Sequence, residues 1–231
     1  NEAVTITDTQ SATNVNTIAN KTSGAVTATV TSGAVTATLG ALTNVDANDV
    51  ITFTTTDTSV DASDLVALAV KVDTLGVNTV NTVTEVYNTA SLGTVVVNAL
   101  NITGNTEAVI ITGGSISSTD TNAIVNATSG IVTATVSADT AANLNTNLVN
   151  ATATDVLTLT VSAGSVAATD LTALDNKTSV AVNAAAVTAL IGTAAEIQAA
   201  YTANSAVTIT GLGNENIFIS NTGTLASSTI T

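Results

Sequence analysis

Apolar and polar residues alternate along short segments of this chain, and the segments return at a near-constant interval. In "AVTIT" at 3–7, "AVTATV" at 25–30, "VITFT" at 50–54, "IVTATV" at 131–136 and "VLTLT" at 156–160, every second residue is apolar and threonine dominates between. A strand turns successive side chains to opposite faces, so the pattern predicts strands with one face buried and one wet. Strands are expected to begin near Val4, Val26, Val50, Val77, Val109, Val132, Val156, Val180 and Val207. The expected inward set is Val4, Ile6, Val26, Ile51, Phe53, Val132, Leu157, Leu159, Val207 and Ile209. The run "TVVVNAL" at 94–100 reads as an extra strand in the longest gap, with a matching one at 217–220.

Between these segments the apolar spacing changes to that of a helix, at 139–150, 167–176 and 193–204. Ser63, Thr119 and Thr169 stand directly before Asp64, Asp120 and Asp170. A hydroxyl cap followed by an acid in the first turn satisfies free amides and complements the helix dipole, so these pairs are expected to start helices.

The phrase itself recurs. "TNVNTIANKTSGAVTATV" at 13–30 returns as "TDTNAIVNATSGIVTATV" at 119–136 and as "TDLTALDNKTSVAVNAAA" at 169–186, with "SDLVALAVKV" at 63–72 as a diverged copy. Asn14, Asp64, Asp120 and Asp170 then fall 50, 56 and 50 residues apart. A longer echo gives super-repeats 1–105 and 106–213 and the start of a third at 214–231. The expected fold is one continuous repeat solenoid over 1–231: a right-handed parallel β-solenoid with short helices, each strand–helix coil about 25 residues long. A coil of about 50 residues with two strands is the competing register.

Composition narrows the function. The chain has 231 residues, no His, Cys, Met, Trp, Pro or Arg, and only Lys21, Lys71 and Lys177 as cations. Its 17 acids leave a net charge of −14, yet 45% of residues are hydrophobic, which argues for a packed core rather than disorder. Three lysines cannot neutralise many phosphates, so nucleic acid is not expected as a partner. The most apolar stretch, 180–201, is interrupted by Asn183, Thr188, Thr193 and Glu196, and no membrane span is expected. The first residue is Asn, not Met, and we read the chain as a processed product or a piece of something longer.

Candidate chemistry is sparse. Without His or Cys the common acid–base and nucleophilic devices are missing, and the acids are scattered, so no enzyme and no cofactor are expected. The acids are densest at Asp46, Asp49, Asp57, Asp61 and Asp64, a candidate weak calcium site, with helix capping and solvated turns as the competing reading. Outward threonines form a candidate ladder: Thr5, Thr7, Thr27, Thr29, Thr52, Thr54, Thr133, Thr135, Thr158, Thr160, Thr208 and Thr210. Such arrays resemble the ice-binding faces of β-solenoid antifreeze proteins, although threonine is also simply a soluble strand former. Asn20, Asn101, Asn126, Asn150 and Asn176 stand in Asn-x-Ser/Thr sequons and are candidate glycan positions.

The stretch "TDLTALDNKTS" at 169–179, followed by "VNAAAVTALIGTAAEIQAAYTAN" at 182–204 and "ITGLGNENIFIS" at 209–220, resembles the tandem repeats of very large surface or secreted proteins of marine cyanobacteria. The likeness is strong over 165–220 and looser elsewhere. It implies an extracellular repeat array and carries over no catalytic residue. The expected function is structural: a segment of a cell-surface filament, surface layer or adhesin stalk that assembles end to end with copies of itself or adjoining repeats. The alternative is a binding module, through the threonine face or a calcium-dependent adhesin surface.

Overall fold

A computed structural model describes residues 2–87 and 92–220. In chain order its elements begin with β1 (Val4–Thr5), α1 (Ala12–Ala19), β2 (Val26–Thr29), α2 (Val35–Ala41), β3 (Val50–Thr54), β4 (Ser59–Asp61), α3 (Ala62–Ala69), β5 (Thr74–Gly76), β6 (Thr82–Val86), α4 (Leu92–Thr103) and β7 (Ala108–Ile116). They continue with α5 (Ser118–Ala127), β8 (Val132–Val136), α6 (Ala141–Asn147), β9 (Val156–Thr158), β10 (Gly164–Ala167), α7 (Ala168–Asp175), β11 (Val182–Asn183), β12 (Val187–Gly192), α8 (Ala194–Ser205), β13 (Ile209–Thr210) and β14 (Asn216–Ile219).

The described residues form an α/β fold with eight helices and several separate parallel sheets, which overturns the expected single β-solenoid with one strand per coil. The strands divide among sheets of four, five, three and two strands. A corner in the chain accounts for much of the division. After β3 the chain turns at 55–58 and re-emerges as β4, which pairs in a different sheet from β3. Asp57 fastens this corner: its carboxylate accepts from the Thr55 hydroxyl at 3.1 Å and from the Val35 amide at 2.7 Å. One interval between helices therefore holds two short strands, too short and too close together to register separately as hydrophobic alternation.

Two compact units divide the described residues. One holds 2–85, 92–110 and Ala127–Gly130; the other holds Val86, Tyr87, Ile111–Asn126 and 131–220. In the first, a four-stranded sheet runs in the order β1-β2-β3-β5, all parallel, with Val4 beside Val26, Ala28 beside Ile51 and Thr52 beside Thr74. Its core includes Val15, Val26, Val35, Leu42, Ile51, Phe53, Leu65, Leu68, Val83, Val96 and Leu100. In the second, β10-β12-β14 and β11-β13 are parallel sheets, and β8 pairs parallel with β9. Its core includes Ile116, Ile124, Val132, Leu144, Leu148, Leu157, Leu159, Leu171, Leu174 and Ile209.

The alternation assigns most side chains to the correct face. Val26, Ile51, Phe53, Val132, Leu157, Leu159 and Ile209 are fully buried, while Val4 and Ile6 are half-buried. Val207 is a correction: it is 64% exposed and has a left-handed backbone at φ 62°, so it lies in the turn after α8 instead of opening a strand. A second correction concerns 94–100, which is helix α4 and not an extra strand. Leu92, Val96, Ala99 and Leu100 are buried, a helical spacing that the run of β-branched valines obscures.

Helix starts also differ from the expected pairs. The caps lie three residues before the acid, not one: the Asp61 carboxylate accepts from the Asp64 amide at 3.1 Å and the Ser117 hydroxyl from the Asp120 amide at 3.0 Å. Asp64, Asp120 and Asp170 do fall in the first turn. Helix α2 has Ala34 at its cap and no side-chain cap of its own, and the Asp57 bond to the Val35 amide fills that role from 22 residues away. Glu85 serves α3 in the same manner, accepting from the Ser63 amide at 2.9 Å. Helix α8 carries a full capping box, made by Thr193 and Glu196.

The same device fixes the strands. Asp49, buried, accepts from the Val26 amide at 2.7 Å and from the Asp46 amide at 3.0 Å. Asp155 in the other unit repeats this with the Val132 amide at 3.1 Å and the Thr152 amide at 3.0 Å. Asp73 accepts from the Ile51 amide at 2.9 Å. In each case one carboxylate ties a turn to a strand 22 or 23 residues earlier.

Removing such an acceptor leaves buried amides unsatisfied, at roughly 1–3 kcal/mol each. Asp49→Ala and Asp155→Ala should each lower unfolding stability by about 2–4 kcal/mol in urea titrations, and Asp155→Asn by less, since it keeps one acceptor oxygen. A loss no larger than at an exposed site would refute the role. Glycines give a paired test. A Cβ on Gly24 or Gly130 would sit on the carbonyl oxygen of Glu2 or Glu107, whereas Gly40 in α2 faces open space. Gly24→Ala and Gly130→Ala should destabilise by about 1–3 kcal/mol, and Gly40→Ala should stabilise by about 0.5–1 kcal/mol.

Candidate assembly edge and acidic positions

The five aspartates proposed for calcium are not brought together as a ligand set. Asp49 and Asp57 are committed to the amides described above, and Asp61 caps α3. Asp46 accepts from the Asn48 amide at 2.8 Å, and Asp64 accepts from the Thr36 hydroxyl at 2.6 Å. Among the described residues no group of three or more His, Cys, Asp or Glu side chains is placed to hold a metal ion.

All twelve ladder threonines are exposed or half-buried. Their rows are short. Thr5 lies beside Thr27, but Val50 follows; Thr29, Thr52 and Thr74 form a row of three; Thr54 meets Gly76. In the second unit Thr133 meets Val156, Thr135 meets Thr158, and Thr160 and Thr210 flank Asn183. The Thr208 hydroxyl is already committed to the Asp175 carboxylate at 2.8 Å.

The five sequon asparagines are exposed. In three of those sequons the threonine hydroxyl is structural: Thr22 donates to the Glu2 carbonyl at 2.7 Å, Thr128 to the Glu107 carbonyl at 2.6 Å and Thr178 to the Leu157 carbonyl at 2.7 Å. No helix among the described residues is long and apolar enough to cross a membrane.

The most distinctive surface is strand β14, the last strand of its sheet. It pairs parallel with β12, placing Leu190 beside Ile217 and Ile191 beside Phe218. Ile217, Phe218 and Ile219 are 41%, 56% and 39% exposed, and Ile191 adds 41%. An apolar edge strand of this kind is a template for pairing. The expected strand at 217–220 matches it, whereas the clasp that holds it escaped sequence reasoning.

That clasp is Glu215 in the "GLGNEN" loop. Its carboxylate accepts from the Tyr201 hydroxyl of α8, and from the amides of Gly213 at 2.8 Å and Asn214 at 3.0 Å. The Asn204 side chain of α8 adds a bond from the Leu212 amide at 3.2 Å. Burial, then the hydrogen bond and charge of Glu215, push the Tyr201 phenol up to about 12. Burial alone would raise Glu215, but the Tyr201 hydroxyl and the backbone amides outweigh it and hold the carboxyl below its ordinary range. The sequence signal was the pair Tyr201 and Glu215, 14 residues apart, which no periodicity rule connects.

No protein-family model matches this chain, and no curated protein or solved structure matches it.

The clasp sets two opposite pH dependences. Glu215 has a depressed folded value, so its contribution is present above the unfolded carboxylate value and is lost as pH falls through the folded one. Tyr201 has a raised folded value, so its contribution is full below the ordinary 10.0 and is lost as pH rises toward about 12. Phenolate absorbance in a Tyr87→Phe background should report a single transition near 12. Tyr201→Phe should cost about 1 kcal/mol and bring the Glu215 carboxyl back toward its ordinary value by NMR titration. An unchanged Glu215 titration would dissolve the clasp.

Proposed function

We propose that this chain is a non-enzymatic structural segment of extracellular cell-surface material, a filament, layer or adhesin stalk, and that copies or adjoining repeats join end to end. The observation that carries the reading is strand β14: three consecutive exposed apolar side chains on an edge strand, in a chain whose other phenylalanine, Phe53, is fully buried. A chain of net charge −14 leaves such an edge uncharged despite its abundance of acids, the opposite of how solitary proteins blunt an edge. The resemblance of 165–220 to cyanobacterial surface repeats supports the same reading. The threonine rows, broken by Val50, Gly76, Val156 and Asn183, favour plain soluble strands over a ligand lattice.

The energetics set the conditions of the test. Covering half-exposed isoleucines and phenylalanine contributes on the order of 1 kcal/mol each. Association costs at least about 4 kcal/mol in lost freedom, so self-association is weak unless many contacts cooperate. Sedimentation velocity over a wide concentration range should show growing species, and negative-stain imaging should show linear objects. Phe218→Asp should weaken association tenfold or more while leaving monomer stability unchanged. A monodisperse monomer at the highest attainable concentration overturns the proposal.

A further inference from the structure

Helix α8 ends in a left-handed turn built on a valine. The Val207 amide donates to the Asn204 carbonyl at 3.1 Å, and the Thr208 amide to the Ala203 carbonyl at 3.1 Å. That pair of bonds closes a helix around one left-handed residue, a place commonly taken by glycine. Here the residue is Val207, at φ 62°. A side chain in that region crowds the neighbouring carbonyl, which glycine avoids, asparagine tolerates and a β-branched residue aggravates. Elsewhere the chain respects this: φ is positive at Gly104 and Asn105 after α4, and at Gly211 and Gly213 beyond α8. Helices α1, α3 and α7 leave through right-handed caps at Asn20, Val70 and Asn176. Packing does not account for the valine either, since its side chain is 64% exposed.

Three side-chain bonds brace this turn, each joining it or the C-terminal half of α8 to another segment of the same unit. The Thr208 hydroxyl donates to the Asp175 carboxylate at the end of α7 at 2.8 Å. The Asn204 side chain accepts from the Leu212 amide at 3.2 Å, and the Glu215 carboxylate accepts from the Tyr201 hydroxyl. Residues 211–215 thus form a strap that runs from β13 to β14 and is tied back to α8 at two points. Strain of the kind stored at Val207 persists only where surrounding bonds over-determine the conformation. Burial adds little here: residues 205–208 are exposed, and in the strap Leu212 and Glu215 alone are half-buried.

We propose that the exit of α8 and the strap 211–215 form one strained latch, in which the bonds of Tyr201, Asn204 and Thr208 hold Val207 left-handed. When the latch opens, residue 207 relaxes to right-handed backbone, the last turn of α8 unwinds and the strap lets go together with it. The strain favours the open form by about fivefold to thirtyfold over the same turn built on a residue at ease there. Segments with few buried contacts open in this way as cooperative pieces, well before the whole unit unfolds. Since the strap leads directly into β14, the latch sets how firmly the entry to that strand is held. The inference concerns this unit by itself and holds whether or not copies of the chain associate.

Amide hydrogen exchange on the full chain, read residue by residue by NMR, tests the coupling. Val207→Asn and Val207→Gly relieve the strain and should slow exchange at the Thr208, Leu212, Gly213 and Asn214 amides by about fivefold to thirtyfold. Val207→Ile keeps the branched side chain and should leave those rates as in the wild type. Tyr201→Phe removes a bond to the strap, yet it should speed the Thr208 amide as well as those of Gly213 and Asn214. In the Val207→Asn background the effect of Tyr201→Phe at Thr208 should shrink, because a relaxed turn no longer depends on the brace. The amides of Ile197, at the start of α8, and Asn183, in β11, should exchange as in the wild type throughout. Unchanged rates in both Val207→Asn and Val207→Gly overturn the role of strain. Acceleration by Tyr201→Phe at Gly213 and Asn214 but not at Thr208 shows bonds that break separately and overturns the latch. Equal acceleration at Ile197 and Asn183 shows the whole unit loosening and overturns the local opening.

Discussion

Strand and helix starts leave main-chain amides that must find acceptors, and here the acceptors come from a carboxylate about one repeat further along the chain. Asp49 and Asp155 each take two amides, one from their own turn and one from a strand 23 residues earlier. The core these strands build consists largely of valine, alanine and leucine, side chains that pack against each other with little selectivity. Sliding a strand by one residue would turn its apolar face outward, and sliding it by two would keep the face but break the carboxylate bond. The buried acid therefore specifies the register that packing alone leaves degenerate.

This arrangement explains how a chain with 17 acids and three lysines stays folded. Many of the acids have backbone amides as partners in place of cations, among them Asp49, Asp57, Asp73, Glu85 and Asp155. Asp57 and Glu85 extend the principle to helices, supplying caps to α2 and α3 from 22 residues away. An aspartate counted along the sequence looks like one member of an acidic cluster; counted across the sheet, it is one half of an amide–carboxylate pair. The region 46–64 read as a candidate calcium site for that reason, since the partner amides are invisible to any local window.

Legibility followed the length over which each signal acts. The two-residue alternation was enough to bury Ile51, Phe53, Leu157 and Leu159 and to turn the threonines out, because it depends only on neighbouring side chains. Parallel pairing followed from copies too far apart for hairpins. The division into separate sheets did not follow, because it depends on corners such as 55–58, where Asp57 diverts the chain after only five residues of strand. Helix α4 was hidden by its valines, whose strand propensity is weaker than the burial of Leu92, Val96, Ala99 and Leu100 along one helical face. The edge strand β14 was legible; the Tyr201–Glu215 clasp was not, because the "GLGNEN" loop gives no hint of which hydroxyl will meet it.

The three copies of the Thr-Ser phrase show how far the bonding scheme tolerates change. In "TSG" at 22–24 and 128–130 the threonine hydroxyl donates to the carbonyl of Glu2 or Glu107 and accepts from the following glycine amide, at 3.0 and 2.9 Å. The glycine then lies against that same carbonyl, where no side chain fits. In "TSV" at 178–180 valine replaces glycine; the Thr178 hydroxyl still accepts from the residue-180 amide at 3.0 Å and donates to an earlier carbonyl, that of Leu157, at 2.7 Å, and it accepts in addition from the Leu157 amide at 3.0 Å. A threonine there takes the acceptor role that Asp49 and Asp155 play elsewhere, because the strand amide needs an oxygen and not a charge. What is preserved between copies is the pairing of donor with acceptor across the sheet, while residue type, charge and even the glycine change. An edge such as β14 presents the same kind of unpaired groups outward, so another strand that brings matching donors and acceptors meets the requirement already satisfied within the chain.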